Sequence, residues 1–160
     1  MFVLGIDPGL SATGYGLVEG SNPPTARLAG VIRTAVDLPM PERLAELHRG
    51  LTSVVVDANP DVIAVESFFT NRNLQTAISV GRASGVALLV AAQAGVPVFE
   101  YVPTAVKSAI TGDGSAGKAQ IQEMVARLLH LGAPPQPADS ADALAVALCH
   151  LRVAPLEARR

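Results

Sequence analysis

Four carboxylates stand at the borders of apolar runs. Asp7 follows Phe-Val-Leu-Gly-Ile, Glu66 follows Val-Ile-Ala-Val, and Asp139 and Asp142 precede Ala-Leu-Ala-Val-Ala-Leu. A charge placed there is costly to bury and requires either open solvent or a cation. Each acid taken singly has a plain structural use. Asp7-Pro8-Gly9 makes an ordinary turn, and Asp139-Ser-Ala-Asp142 has the pattern of a helix capping box. Glu66, closing an apolar strand, is harder to explain in that way. The chain holds only 14 acidic residues, and the conjunction of these four favours a shared site. Carboxylates gathered within ~4 Å repel by roughly 4 kcal/mol per pair at an effective dielectric near 20, so they persist together only with cations or protons. Oxygen-only donors, with no histidine or cysteine beside them, suit Mg²⁺, with Mn²⁺ able to substitute, better than zinc. Two such ions per site, ~4 Å apart, would drive in-line attack of water on a phosphodiester.

The elements that must position these acids can be read from periodicity. Phe2 to Asp7 is a short apolar strand, Pro8-Gly9 a turn, and Tyr15, Leu17 and Val18 lie on a returning strand, which together predict a hairpin. Arg27 to Thr34 is a third strand, close enough in sequence for an antiparallel meander. Pro41 opens an amphipathic helix with Leu44, Leu47, Leu51, Val54 and Val55 on one face, ending near Asn59-Pro60. Val62 to Glu66 is a strand buried on both faces. Asn73 caps a helix over Leu74 to Ala94, stopped by Gly95. Val96 to Val102 is a fifth strand, which Pro97 assigns to an edge. A short helix from Pro103 to Ile110, a glycine loop over 112–117, a helix from Lys118 to Leu131 stopped by Gly132, and a last helix from Asp139 to about Arg152 complete the chain. This pattern predicts an α/β domain with a mixed five-stranded sheet of order 3-2-1-4-5 and helices on both faces. Asp7 and Glu66 then end neighbouring parallel strands, at the sheet edge that α/β ligand sites favour.

Composition bounds the partners. A length of 160 residues, with 49% apolar and 16% charged, describes one folded domain, here residues 1–152, with 153–160 as a flexible tail. The net charge of −2 excludes a globally basic binder. The single Cys149 excludes a disulfide framework and fits a reducing compartment. No signal peptide is visible, and the apolar run Ala83 to Ala94 falls short of a membrane span, so a cytoplasmic protein is expected.

A polyanion would find cations between the second and fourth carboxylates. From Asn71 to Gln120, Arg72, Arg82, Lys107 and Lys118 face only Glu100 and Asp113. Lys107 and Lys118 flank the glycine loop, whose backbone amides could join them on a phosphate. A solvated helix face explains Arg82 as well. Phe68 and Phe69 precede the polar run Thr70 to Asn73. In an extended segment they point opposite ways, so Phe68 can fill core while Phe69 stacks on unpaired bases. Gly81, Ala83, Ser84, Gly85 and Ala87 make one helix small-sided, which permits close helix approach in a dimer or against the sheet.

The ordered series Gly-Ile-Asp7-Pro-Gly, Thr-Gly-Tyr-Gly, Val-Glu66-Ser-Phe-Phe69, Pro97-Val-Phe-Glu-Tyr101, Val106-Lys107, Gly114-Ser-Ala-Gly-Lys118 and Asp139-Ser-Ala-Asp142 resembles the RuvC family of Holliday-junction resolvases. That family lies within the RNase H-like nuclease superfamily. The resemblance runs nearly the whole length. It implies a homodimeric endonuclease that nicks opposing strands of a four-way DNA junction in recombination and repair. It implies Asp7, Glu66, Asp139 and Asp142 as catalytic metal ligands, Lys107 and Lys118 as DNA contacts near the scissile phosphate, and Phe69 as the aromatic at the junction. The local excess of positive charge adds Arg72 as a further expected DNA contact. RuvA and RuvB are the implied partners. Other readings are an RNase H-like enzyme cutting RNA or RNA–DNA hybrid, an actin- or sugar-kinase-like phosphotransferase domain, and a junction-binding module without catalysis.

Overall fold

In the computed structural model, residues 1–67 and 73–157 are described. β1 (Phe2–Asp7) and β2 (Ala12–Glu19) form the expected hairpin, with Leu4 opposite Leu17, Gly5 opposite Gly16 and Asp7 opposite Gly14. β3 (Thr25–Arg33) continues the meander antiparallel to β2, beginning two residues before the expected Arg27. β4 (Val62–Glu66) runs parallel to β1, and β5 (Val98–Tyr101) runs parallel to β4, giving the order β3-β2-β1-β4-β5.

Side-chain alternation divides the core in two. Leu4, Ile6, Leu17, Ile63 and Val65 face α1 (Met40–Ala58) and α2 (Leu74–Ala94), meeting Leu47, Leu51, Ala83 and Ala87. Val3, Val18 and Ala64 face α3 (Pro103–Thr111), α4 (Lys118–Leu128) and α5 (Ala138–Glu157), meeting Val106, Ile121, Val125, Leu144 and Leu148. Asp7 and Glu66 share the parity of Val3 and Ala64, so both belong to the α5 face.

Local chemistry sets the ends of these elements. Asn59, in the left-handed region at φ 41°, closes α1. The Asn73 side chain accepts the Gln75 N–H at 3.0 Å to cap α2, and Gly95 ends it at φ 66°. The Val96 N–H is then spent on the Ala91 carbonyl at 3.0 Å, so β5 starts later than expected, and the Val102 carbonyl accepts from Ala105 and Val106 to open α3. α4 stops at Leu128, before the expected Leu131. His130 takes φ 54°, the Leu131 N–H donates to the Ala126 carbonyl at 2.8 Å, and the Leu131 side chain packs on the core. This is a Schellman termination that uses a non-glycine residue because a hydrophobic anchor follows it. α5 runs on to Glu157, past the expected end at Arg152, so residues 153–157 are helical where a tail is expected.

By length and composition α2, with 21 residues, is apolar enough to cross a membrane. Its Ala83, Ala87, Val90 and Ala91 are nonetheless buried against α1 and the sheet.

α5 lies unusually close to the sheet because glycines clear its path. A Cβ on Gly5 would collide with the Ala143 carbonyl, one on Gly14 with the Asp139 carbonyl, and one on Gly16 would stand 2.7 Å from the Leu144 side chain. Replacing Gly14 therefore lifts the first turn of α5. Gly14→Ala is expected to lose about 1–3 kcal/mol of stability in urea unfolding, with catalytic rate falling further than that loss of folded protein accounts for.

Candidate active site

Parallel pairing of Ile6 with Val65 brings Asp7 and Glu66 side by side at one end of the sheet. α5 supplies the other two acids. Its start is fixed by Ser140, whose N–H and hydroxyl both donate to the Pro137 carbonyl, at 3.0 and 2.6 Å. Asp139 thus lies inside the first turn rather than at the expected capping position. It shares a face with Asp142 one turn on, and the glycine track below brings that face down onto Asp7.

One carboxylate oxygen from each of Asp7, Asp139 and Asp142 can be chosen so that all three lie within 4.8 Å of one another. Glu66 stands beside this trio, and its charge acts on Asp7 more strongly than that of either α5 acid. Burial first, then the charges of Glu66, Asp142 and Asp139, raise Asp7 to about 8, against the opposing effect of Lys118. Without a cation the site therefore keeps a proton on Asp7 at neutral pH. The donors are all oxygen, which fits a hard divalent cation taking the place of that proton.

Lys118, the first residue of α4, places Nζ 2.7 Å from Asp142 Oδ2. This hydrogen bond is the main cause that raises the lysine pKa. The expected phosphate contact is thus built into the acidic cluster itself. Lys107 is elsewhere: it lies on α3, and its charge contributes to lowering Asp113 in the following loop.

Several amides of that loop are already engaged rather than open to a phosphate. Asp113 Oδ1 accepts from both the Ser115 N–H and hydroxyl, at 2.8 and 2.7 Å. The Asp113 N–H donates to the Thr111 hydroxyl and the Ala116 N–H to the Asp113 carbonyl. Asp113, Ser115 and Ala116 spend their amides within the loop. Phe68, Phe69 and Arg72 lie outside the described residues.

Two contributors escaped the sequence reading. Gly5, Gly14 and Gly16 seat α5, and their signal was isolated glycine within apolar strands, a mark of close backbone approach. Thr13, fully buried, brackets the turn after Asp7: it accepts the Gly9 N–H at 3.3 Å and donates to the Gly9 carbonyl at 2.6 Å.

With this geometry in place, comparisons with known proteins agree along the chain. A family model described as "Crossover junction endodeoxyribonuclease RuvC" matches residues 3–150. A relative of the same description from Chloroflexus aggregans is 50% identical over 157 residues, covering 97% of this chain and 95% of that protein. One from Salinispora arenicola is 51% identical over 153 residues, covering 94% and 87%. Among solved structures, Thermus thermophilus RuvC in complex with Holliday junction substrate superposes with a TM-score of 0.92 at 38% identity, covering 98% of this chain and 96% of that one.

Proposed function

The chain belongs to the RuvC family of crossover junction endodeoxyribonucleases, and we propose that it works in the cytoplasm as a homodimer that resolves four-way DNA junctions by cutting two opposing strands. The observation that carries this reading is the convergence of Asp7, Asp139 and Asp142, with Glu66 beside them, where strand ends meet the head of a helix. These four acids are the proposed catalytic ligands for two Mg²⁺ ions, with Mn²⁺ as a substitute. When bound, such ions supply Lewis acidity to a water and to the phosphate oxygens.

The protein's own groups do the remaining work. Asp7, on the central strand, has β2 and β4 on either side and α5 packed against its face, so its backbone is held by the sheet and the helix together. Lys118 offsets the charge of Asp142 and is the proposed contact to the scissile phosphate. Lys107 on α3 and Arg72 are the further proposed contacts to the DNA backbone, and Phe69 is the proposed stacking partner for bases unpaired at the crossover. RuvA and RuvB are the proposed partners in branch migration. Lys107→Ala is expected to weaken junction binding and reduce the salt slope by about one, a phosphate contact's signature. An unchanged slope in a binding titration would mean that the lysine touches no phosphate.

The homodimer has support in the outward face of α2. Leu74, Ile78 and Leu89 are 73%, 44% and 50% exposed, and they align at helical spacing with Gly81 and Gly85, whose missing Cβ atoms would meet nothing within 4 Å. Ala83 and Ala87 instead face the sheet. An exposed apolar stripe with two glycines lets a second helix approach closely, and a two-fold pair would present matching sites to a two-fold junction. Leu89→Glu is expected to yield monomers in sedimentation and to uncouple the two nicks.

The test of the overall reading is a cleavage panel of a mobile four-way junction, a linear duplex and an RNA–DNA hybrid in Mg²⁺. Selective, paired nicking of the junction is expected. Preferential hybrid cleavage would overturn the reading in favour of an RNA-directed enzyme.

A further inference from the structure

The turn that follows Asp7 is held from three directions, and one of its supports is a cation that the proposed reaction has not used. Residues 8–11 carry the chain from the end of β1 to the start of β2. Pro8 and Leu10 are buried, Ser11 is exposed, and Gly9 is bracketed by Thr13 from β2. The second support comes from the residue after β3. The Thr34 hydroxyl, in a residue only 5% exposed, donates to the Leu10 carbonyl at 2.6 Å, and the Thr34 N–H donates to the Ser11 carbonyl at 3.3 Å.

Arg43 of α1 is the third support. Its Nε donates to the Thr34 hydroxyl at 3.0 Å and its Nη2 to the Ser11 hydroxyl at 2.9 Å. The Thr34 hydroxyl thus links the two, accepting from Arg43 while donating to Leu10. One guanidinium spans α1, the end of β3 and the turn. A flat, forked cation can hold two hydroxyls in fixed relative position, which a lysine ammonium on a flexible stem does less well. The turn is also closely folded on itself, since a Cβ at Gly9 would collide with the Ala12 carbonyl.

We infer that Arg43, acting through Thr34 and Ser11, is a positioning residue for Asp7, and that the intrinsic cation affinity of the acidic site depends on this clamp. The inference rests on the reading of Asp7 as a metal ligand. Outer contacts that orient ligands commonly contribute 10- to 100-fold in metal affinity or activity. Here the oriented element is the backbone immediately after the ligand. An arginine at a junction nuclease's strand-end site would by default be assigned to phosphate. The two hydroxyl bonds assign this one to the protein instead.

The test is calorimetric titration of Mn²⁺ into the full chain without DNA, for the parent, Arg43→Ala, Thr34→Val, Thr34→Ser and Asp7→Asn. Arg43→Ala and Thr34→Val are expected to bind Mn²⁺ at least about 10-fold more weakly, while Thr34→Ser, which keeps the hydroxyl, binds as the parent does. Junction affinity of Arg43→Ala without divalent cation, and its salt dependence, should match the parent. Parent-like Mn²⁺ binding by both Arg43→Ala and Thr34→Val would overturn the inference. So would a loss of junction affinity in Arg43→Ala with a salt slope shallower by about one, which marks a phosphate ligand. Should Arg43→Ala fail to fold, the contrast between Thr34→Val and Thr34→Ser decides alone. Asp7→Asn separates the two levels: parent-like Mn²⁺ binding there refutes the ligand reading itself, whereas its loss beside an unaffected clamp pair refutes only the positioning role.

Discussion

Asp7→Asn should abolish junction cleavage while leaving junction binding intact. The substitution keeps size and shape but removes the charge of the central acid, which feels the charges of Glu66, Asp142 and Asp139 and the opposing charge of Lys118. Removing a single group aimed at developing charge commonly costs 10²–10³ in rate. Loss of a ligand that organises the whole site should exceed this, so a fall of roughly 10³ or more is expected. Binding should survive because the cations proposed to meet DNA phosphates, Lys107 among them, are on other elements. Single-turnover cleavage set beside an electrophoretic binding titration separates the two effects. Equal losses in both would show that Asp7 holds the fold or the DNA rather than the chemistry.

The second large effect is on stability and runs in the opposite direction. Asp7 has an ordinary carboxyl pKa near 3.8 and is raised to about 8 in the fold, first by burial and then by its acidic neighbours. The folded protein therefore keeps a proton that the unfolded chain has released across this window. Metal-free stability is fully present below about pH 4 and is lost as pH climbs towards 8, at up to ~1.4 kcal/mol per pH unit. At pH 8 and without divalent cation, Asp7→Asn should be more stable than the parent by a few kcal/mol, roughly 5–10 °C in Tm for a domain of this size. Mg²⁺ should narrow that difference by stabilising the parent more than the variant, and its effect should grow with pH because binding displaces a proton. Thermal unfolding from pH 5 to 8, with Mg²⁺ and with chelator, measures both slopes. A parent whose metal-free stability is flat with pH would contradict the burial of Asp7 among like charges.

Much of this arrangement was legible in the residues, and the reasons are local. α2 could be bounded from Asn73 to Gly95 because both caps are local: the Asn73 side chain accepts the Gln75 N–H, and Gly95, lacking a Cβ, takes the left-handed backbone that ends the helix. The sheet order followed from a meander too short to cross over and from strand–helix alternation after it. The four acids stood out because each interrupts or borders an apolar run. What could not be read depends on contacts distant in sequence. Gly5, Gly14 and Gly16 become one track only when β1 and β2 pair with Gly5 opposite Gly16 and Asp7 opposite Gly14. Lys118 looked like a free phosphate ligand because its partner Asp142 belongs to a different helix. That several amides of the glycine loop are engaged could not be read, because the bonds of Asp113 and Thr111 leave no periodic trace. α4 ends early because His130 accepts a left-handed backbone to bury Leu131, a tertiary gain that outweighs the preference for Gly132.

The central claim is that Asp7, Glu66, Asp139 and Asp142 together hold divalent cations. A crystal of the protein soaked in Mn²⁺ and measured for anomalous scattering tests it most directly. Two peaks bounded by oxygens of these four residues are the predicted result, and none should remain in Asp7→Asn. A Mn²⁺-saturated crystal with no peak among the four acids, or with peaks unchanged in Asp7→Asn, would contradict it.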